Sequence, residues 1–171
     1  MAQATLSSEL LMEANREQAS KPLRVCFVCT GNTCRSPMAQ AVVNHLARTL
    51  KRDLIAFSAG LYAVEGDRIS SNAVLALERA GIEPSPTCDY RMHTARSLGD
   101  GEAETFDLLV GMGRSHAMEL MMRYPDQASK ITTFEADIPD PFGGSPEVYR
   151  ACLLQLSHCV KSLFFGGEAA L

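Results

Sequence analysis

Cys29, Arg35 and Ser36 share one short run, Val25-Cys26-Phe27-Val28-Cys29-Thr30-Gly31-Asn32-Thr33-Cys34-Arg35-Ser36-Pro37-Met38-Ala39. The run reads as strand, tight loop and helix start. Cys29 closes the apolar stretch Val25 to Val28, at the carboxyl edge of a buried parallel strand, where ligands bind in open α/β sheets. Ser36-Pro37 opens an apolar-periodic stretch from Met38 to Leu50, with proline where a first helical turn tolerates it. Thr30, Gly31, Asn32, Thr33 and Cys34 then lie over a helix N-terminus, whose free N–H groups and dipole favour negative charge. The same field stabilises a thiolate: a free thiol titrates at roughly 8.5, and helix N-termini with a nearby cation bring it to roughly 3.5–7.5. Arg35 offers a planar fork for two oxyanion oxygens. Gly31 permits close backbone approach, Asn32 tolerates a left-handed backbone, and the Ser36 hydroxyl can donate to sulfur as it departs. These residue types at this spacing suit a cysteine nucleophile inside a ring of amides that grips a phosphoryl group. They are not a nucleotide-binding G-x-x-x-x-G-K-[ST] loop, whose lysine and second glycine are missing.

A second chemical element lies far along the chain, Asp137-Ile138-Pro139-Asp140-Pro141-Phe142-Gly143-Gly144. Pro141 holds Asp140 extended. A phosphoryl group moving to Cys29 needs a proton on the departing atom, and an aspartic acid on a rigid loop supplies it. Other reactive residues read as structural. Cys26 and Cys29 have C-x-x-C spacing, yet the pair ends a strand instead of opening a helix, and no second pair completes a tetrahedral metal site. Met112, Met118, Met121 and Met122 read as core filler. His45, His116 and His158 read as scattered and partly exposed.

Apolar runs alternate with helical patterns, the mark of a parallel sheet covered by helices. Strands are expected at about 24–29, 55–58, 108–111 and 131–133, and helices at about 37–50, 70–80, 114–124 and 146–165. The last helix shows Val148, Cys152, Leu156, Cys159 and Leu163 on one face. Gly81 and Gly166 read as helix stops.

The Cys29-to-Ala39 run, together with the later Asp140-Pro141-Phe142-Gly143-Gly144-Ser145, resembles the low-molecular-weight protein tyrosine phosphatase family, and within it the bacterial protein arginine phosphatases. The likeness extends from about Arg24 to Phe165 and includes Phe57-Ser58-Ala59-Gly60 and His93-Thr94-Ala95-Arg96. It implies a single-domain, three-layer α/β/α fold around a four-stranded parallel sheet. It also implies that Cys29 becomes a phosphocysteine, that Arg35 clamps the transition state and that Asp140 is the general acid and later the base. Ser36 is then the thiolate-bonding hydroxyl, and Asn32, Ser58 and His93 form a network that holds the loop. Cys34 is the neighbour able to form a reversible disulfide with Cys29. Tyrosine-directed members carry a bulkier aliphatic residue at the place of Thr33 and two tyrosines at Phe142-Gly143, whereas arginine-directed members look like this chain at both. Tyr62, soon after Ser58, is expected as a pocket wall, and Phe142 as a further substrate-binding residue.

A chain of 171 residues with a formal charge of −4 suits one domain with a sizeable core and argues against a general polyanion binder. Six cysteines, at 26, 29, 34, 88, 152 and 159, fall in strand, loop and helix patterns, not in a disulfide framework. With no signal-peptide core and no run of about 20 apolar residues, a monomer in the reducing cytoplasm is expected. Phosphorylated proteins are the expected partners, with no nucleic acid, membrane, metal or cofactor. Residues 1–22 form an extension absent from the family, with Leu6, Leu10 and Leu11 in a helical pattern over 5–19; 23–166 form the phosphatase domain and 167–171 a flexible tail. Three competing readings stand beside a phosphoarginine phosphatase. A tyrosine phosphatase of the same family differs at Thr33. An arsenate reductase needs a relay of two further cysteines, and Cys88 stands alone. A catalytically dead phosphoprotein-binding module lacks the thiol, guanidinium or acid that this chain retains.

Overall fold

β1, Leu23–Cys29, is buried from Val25 onward. A run apolar at every position, as Val25 to Cys29 is, must be covered on both faces, and β1 lies inside a four-stranded parallel sheet of order β2-β1-β3-β4. Its partners are β2 Leu54–Gly60, β3 Leu108–Gly111 and β4 Ile131–Thr133. The helices are α1 Arg35–Thr49, α2 Ser71–Arg79, α3 Arg114–Arg123 and α4 Pro146–Phe165. The computed structural model describes residues 21–167, so the helical pattern expected over 5–19 and the tail from 168 onward lie outside the described residues.

Side chains alternate across β1 and divide the core in two. Val25, Phe27 and Cys29 pack with Met38, Val42 and Leu46 of α1, Leu77 of α2 and Leu156 of α4. Cys26 and Val28 pack on the opposite face with Phe106, Leu109, Leu120 of α3 and Tyr124. Cys26 and Cys29 therefore point into different layers despite their C-x-x-C spacing. Burial pushes the Cys26 thiol up to about 12, which suits a core side chain.

The chain leaves β1 for β2 on one side and crosses back to β3 on the other. Strand order thus reverses between β1 and β3, and the crevice beyond their carboxyl ends is the place where such sheets bind ligands. The loops after β1, β2, β3 and β4 converge there.

Three expectations need correction. α1 starts at Arg35, before Pro37, because the Cys34 carbonyl already accepts the Met38 N–H at 3.2 Å. Pro37 falls inside the first turn, where its missing N–H is not needed. The buried stripe of α4 runs through Tyr149, Cys152, Leu153, Leu156, Val160 and Phe165, while Val148 and Leu163 are exposed and Cys159 half-buried. Apolar residues occur around most of this helix, so periodicity alone did not set its rotation; Tyr149, which reaches the Cys29 loop, does. Met118, Met121 and Met122 are exposed on α3, and of the four methionines Met112 alone is core, because α3 meets the sheet through Ala117 and Leu120. Gly81 and Gly166 do follow α2 and α4 with positive φ. Among the described residues no helix is long and apolar enough to cross a membrane.

Candidate active site

The loop from Thr30 to Cys34 turns on Asn32, a fully buried residue with φ 55°. Its side chain fixes the turn by serving three neighbours. Oδ1 accepts the Arg96 N–H at 3.0 Å, which assigns the amide orientation. Nδ2 then donates both hydrogens, to Ser36 Oγ at 2.9 Å and to Ser58 Oγ at 3.0 Å. Ser58 passes its own proton to Gln40 Oε1 at 2.6 Å. On the backbone side, His93 Nε2–H donates to the Asn32 carbonyl at 2.9 Å. Burial, aided by Arg96, lowers the pKa of His93, so this imidazole is neutral at pH 7.

These bonds decide what surrounds the sulfur. With its oxygen accepting from Asn32, Ser36 has one proton to give, and Cys29 Sγ at 3.0 Å lies nearer than the Ala59 carbonyl at 3.3 Å. The Asn32 N–H donates to the same sulfur at 3.2 Å. The hydroxyl and the amide thus aim two donors at one buried sulfur. Among the described residues, the N–H groups of Gly31, Thr33 and Cys34 have no protein acceptor, and α1 has no side-chain cap. Uncapped amides at a helix start await an anion.

Arg35 and Asp140 meet across the mouth. Arg35 Nη2 lies 2.7 Å from Asp140 Oδ2, and Nη1 donates to the Ile138 carbonyl at 3.3 Å. Nε of the same guanidinium is buried without a partner among the described residues. A buried N–H left unpaired is costly, and an oxyanion in the cleft would satisfy it. Asp140 Oδ1 in turn accepts the Phe142 N–H at 3.2 Å, and the Gly144 N–H closes the turn onto the Pro141 carbonyl at 2.9 Å. The resulting cleft has a volume of about 200 Å³ and is lined by Cys29, Thr30, Gly31, Thr33, Cys34, Arg35, Asp140 and Phe142.

Nearly every residue singled out from sequence meets in this cleft or directly behind it. Cys29 and Cys34 are both free thiols. Cys34 is buried 3.2 Å from the Tyr149 hydroxyl, and burial raises its pKa. Tyr62 is the exception. It does not line the cleft: it is 62 % exposed, its ring lies under the Arg123 guanidinium at 4.6 Å, and its main-chain N–H donates to the Thr30 carbonyl at 2.9 Å. Cation–π stacking seats the ring against Arg123.

His116 is the converse correction. Expected to be partly exposed, it is buried, with Nε2 3.1 Å from Thr30 Oγ1. Its signal was topological: it stands in the first turn of the helix that follows β3, the strand beside β1. Asp137 was also passed over. Its Oδ1 accepts the Arg114 N–H at 2.9 Å and so caps α3, its carboxylate resting against Gly113.

Known proteins match this frame. The family model described as low molecular weight phosphotyrosine protein phosphatase matches residues 24–170. A protein-arginine-phosphatase of Geobacillus stearothermophilus is 34% identical over 149 residues, covering 83% of this chain and 94% of its own. The low molecular weight protein-tyrosine-phosphatase PtpB of Staphylococcus haemolyticus is 32% identical, covering 82% of this chain and 97% of its own. Among solved structures, a low molecular weight protein tyrosine phosphatase from T. tengcongensis superposes with a TM-score of 0.75 at 40% identity, over 82% of this chain and 97% of its own.

Proposed function

We propose that this chain, which belongs to the low molecular weight phosphotyrosine protein phosphatase family, hydrolyses phosphoarginine in proteins through a phosphocysteine on Cys29. The Cys29 thiolate attacks phosphorus while the P–N bond breaks. The bonding pair goes to nitrogen, which takes the Asp140 proton and leaves as arginine. In the second step Asp140 accepts a proton from water as the water oxygen attacks phosphorus. The S–P electrons return to sulfur under the Ser36 hydroxyl, and phosphate departs.

The Arg35–Asp140 pair supports this sequence. A phosphoryl group seated on the amides competes for the guanidinium, whose Nε is already free for it. As Arg35 turns to the phosphoryl oxygens, Asp140 loses its cation and gains a neighbouring dianion. The Asp140 carboxyl is then free to act at the leaving atom as the general acid.

The cleft lining carries the choice of arginine. Thr33 supplies a small polar wall, and among the described residues that line the cavity Phe142 is the one aromatic and none is a tyrosine. A flat phenol ring gains most from an apolar sandwich, whereas the donor-rich head of phosphoarginine gains from acceptors such as Thr33 Oγ1 and the carbonyl oxygen of the Asp140 carboxyl. A site built on free thiols suits the reducing cytoplasm. The test is a side-by-side assay on phosphoarginine, phosphotyrosine and phosphoserine peptides. The expected order of kcat/KM puts phosphoarginine first. A preference for phosphotyrosine would overturn the arginine reading and leave the cysteinyl chemistry standing.

A further inference from the structure

His116 stands at the edge of the cleft with no part in the steps above. It is 8% exposed, on the first turn of α3, and its ring reaches across the sheet edge to the residue after the nucleophile. Three charged groups face it from neighbouring elements, Arg35 at the start of α1 and Asp137 and Asp140 in the loop after β4, with Glu119 on its own helix. Burial first, and Arg35 second, lower its pKa against the pull of these three carboxylates, so the ring is neutral at pH 7.

A neutral imidazole carries one N–H and one lone pair. Nδ1 is buried with no hydrogen-bond partner among the described residues. A proton on Nδ1 would leave a buried donor unpaired, a heavier cost than an idle lone pair. The proton therefore sits on Nε2, which donates to Thr30 Oγ1 at 3.1 Å. Thr30 itself lines the cleft and is exposed, and its carbonyl is held by the Tyr62 N–H at 2.9 Å. With the backbone pinned and one oxygen lone pair taken by His116, the free part of this residue is its hydroxyl hydrogen.

We infer that His116 is a positioning residue whose Nε2–H orients the Thr30 hydroxyl so that Thr30 donates to an oxygen of the phosphoryl group bound in the cleft. Thr30 thereby adds a side-chain donor to the ring of amides, and His116 acts through it without touching substrate. This rests on the reading of the cleft as a phosphoryl site.

One arm of the test needs no ligand. Long-range proton–nitrogen spectroscopy on the wild-type protein at pH 7.5 is expected to find the His116 proton on Nε2, and a proton on Nδ1 would overturn the proposal. The second arm measures inorganic phosphate binding by calorimetry, and turnover of an aryl phosphate, for Thr30→Val, His116→Ala, His116→Gln and the Thr30→Val/His116→Ala double variant. Each of Thr30→Val and His116→Ala should weaken phosphate binding and lower kcat/KM by about tenfold, the scale of one hydrogen bond to a charged group. The double variant should lose no more than either single one, because both remove the same contact. His116→Gln, whose amide N–H can replace Nε2–H, should recover most of the loss in the presence of Thr30 and none in its absence. Wild-type behaviour of Thr30→Val, or losses that multiply in the double variant, would overturn the proposal. Thr30→Val sits at an exposed position and keeps the test decisive even where His116→Ala lowers stability. Failure of the underlying phosphoryl-site reading looks different: the wild-type protein would then bind no phosphate and turn over no phosphate ester, whatever the imidazole tautomer.

Discussion

Single side chains around one sulfur atom decide the chemistry. Asn32 directs the proton of Ser36 toward Cys29, and Arg35 is shared between Asp140 and whatever anion enters. If Asp140 protonates the leaving atom, Asp140→Asn should slow the first step by about 100-fold or more on phosphoarginine, within the usual range for a positioned acid. It should slow an activated aryl phosphate much less, since a good leaving group needs no proton. Stopped-flow comparison of the two substrates reads this directly, and equal slowing removes the acid role from Asp140. Thr33 tests the other side of the cleft. Thr33→Ile adds apolar surface where a phenol would lie, so the ratio of phosphotyrosine to phosphoarginine kcat/KM should rise by about tenfold, the order expected for a small change in a pocket wall. An unchanged ratio would take specificity away from this position.

Elements hold those side chains by their ends. β2 ends at Gly60, whose N–H donates to the Arg96 carbonyl at 2.9 Å beside the Cys29 loop. A Cβ at residue 60 would lie 2.7 Å from the Thr30 carbonyl oxygen and 2.9 Å from Ala63 Cβ. The obstacle is backbone, and it cannot yield without moving the residue next to the nucleophile. Gly60→Ala should therefore cost about 1–3 kcal/mol by overpacking. At about 2–4 °C per kcal/mol for a chain of this size, its melting temperature should drop by several degrees. Activity should fall by at least about tenfold. A variant with wild-type activity would show that the loop is not anchored through β2. α4 and α3 play the same supporting part from the other sides: Tyr149 meets Cys34, and Asp137 ties the loop after β4 to the start of α3.

At the scale of the whole molecule, burial of neutral imidazoles links folding to pH. His93 and His116 both have lowered pKa values, chiefly through burial, so the unfolded chain binds their protons more readily than the fold does. Stability then rises with pH across this range. It is expected to be steady above about pH 7 and to fall as pH drops below the unfolded histidine value of about 6.5. Thermal melts at pH 7.5, 6.5, 5.5 and 5.0 measure the trend. The His93→Gln/His116→Gln variant should show a flatter profile over the same interval. A profile as steep as that of the parent would show that other groups drive the acid sensitivity. Cys26 and Cys152, both pushed up to about 12, stay neutral throughout and add nothing to it.

The amino-acid sequence by itself determined the local pieces: the strand ending in Cys29, the loop over a helix start, the turn that carries Asp140, the alternation that makes a covered parallel sheet, and the glycines that stop α2 and α4. Each is legible because neighbouring residues set their own backbone geometry and spacing. Tertiary structure alone decided which distant side chains meet. It rotated α4 onto Tyr149 instead of Val148, left three methionines of α3 in solvent, stacked Tyr62 under Arg123 outside the cleft, and brought His116 to Thr30. Those outcomes depend on strand order and helix rotation, which arise from the packing of the whole core and leave no periodic trace in any one segment.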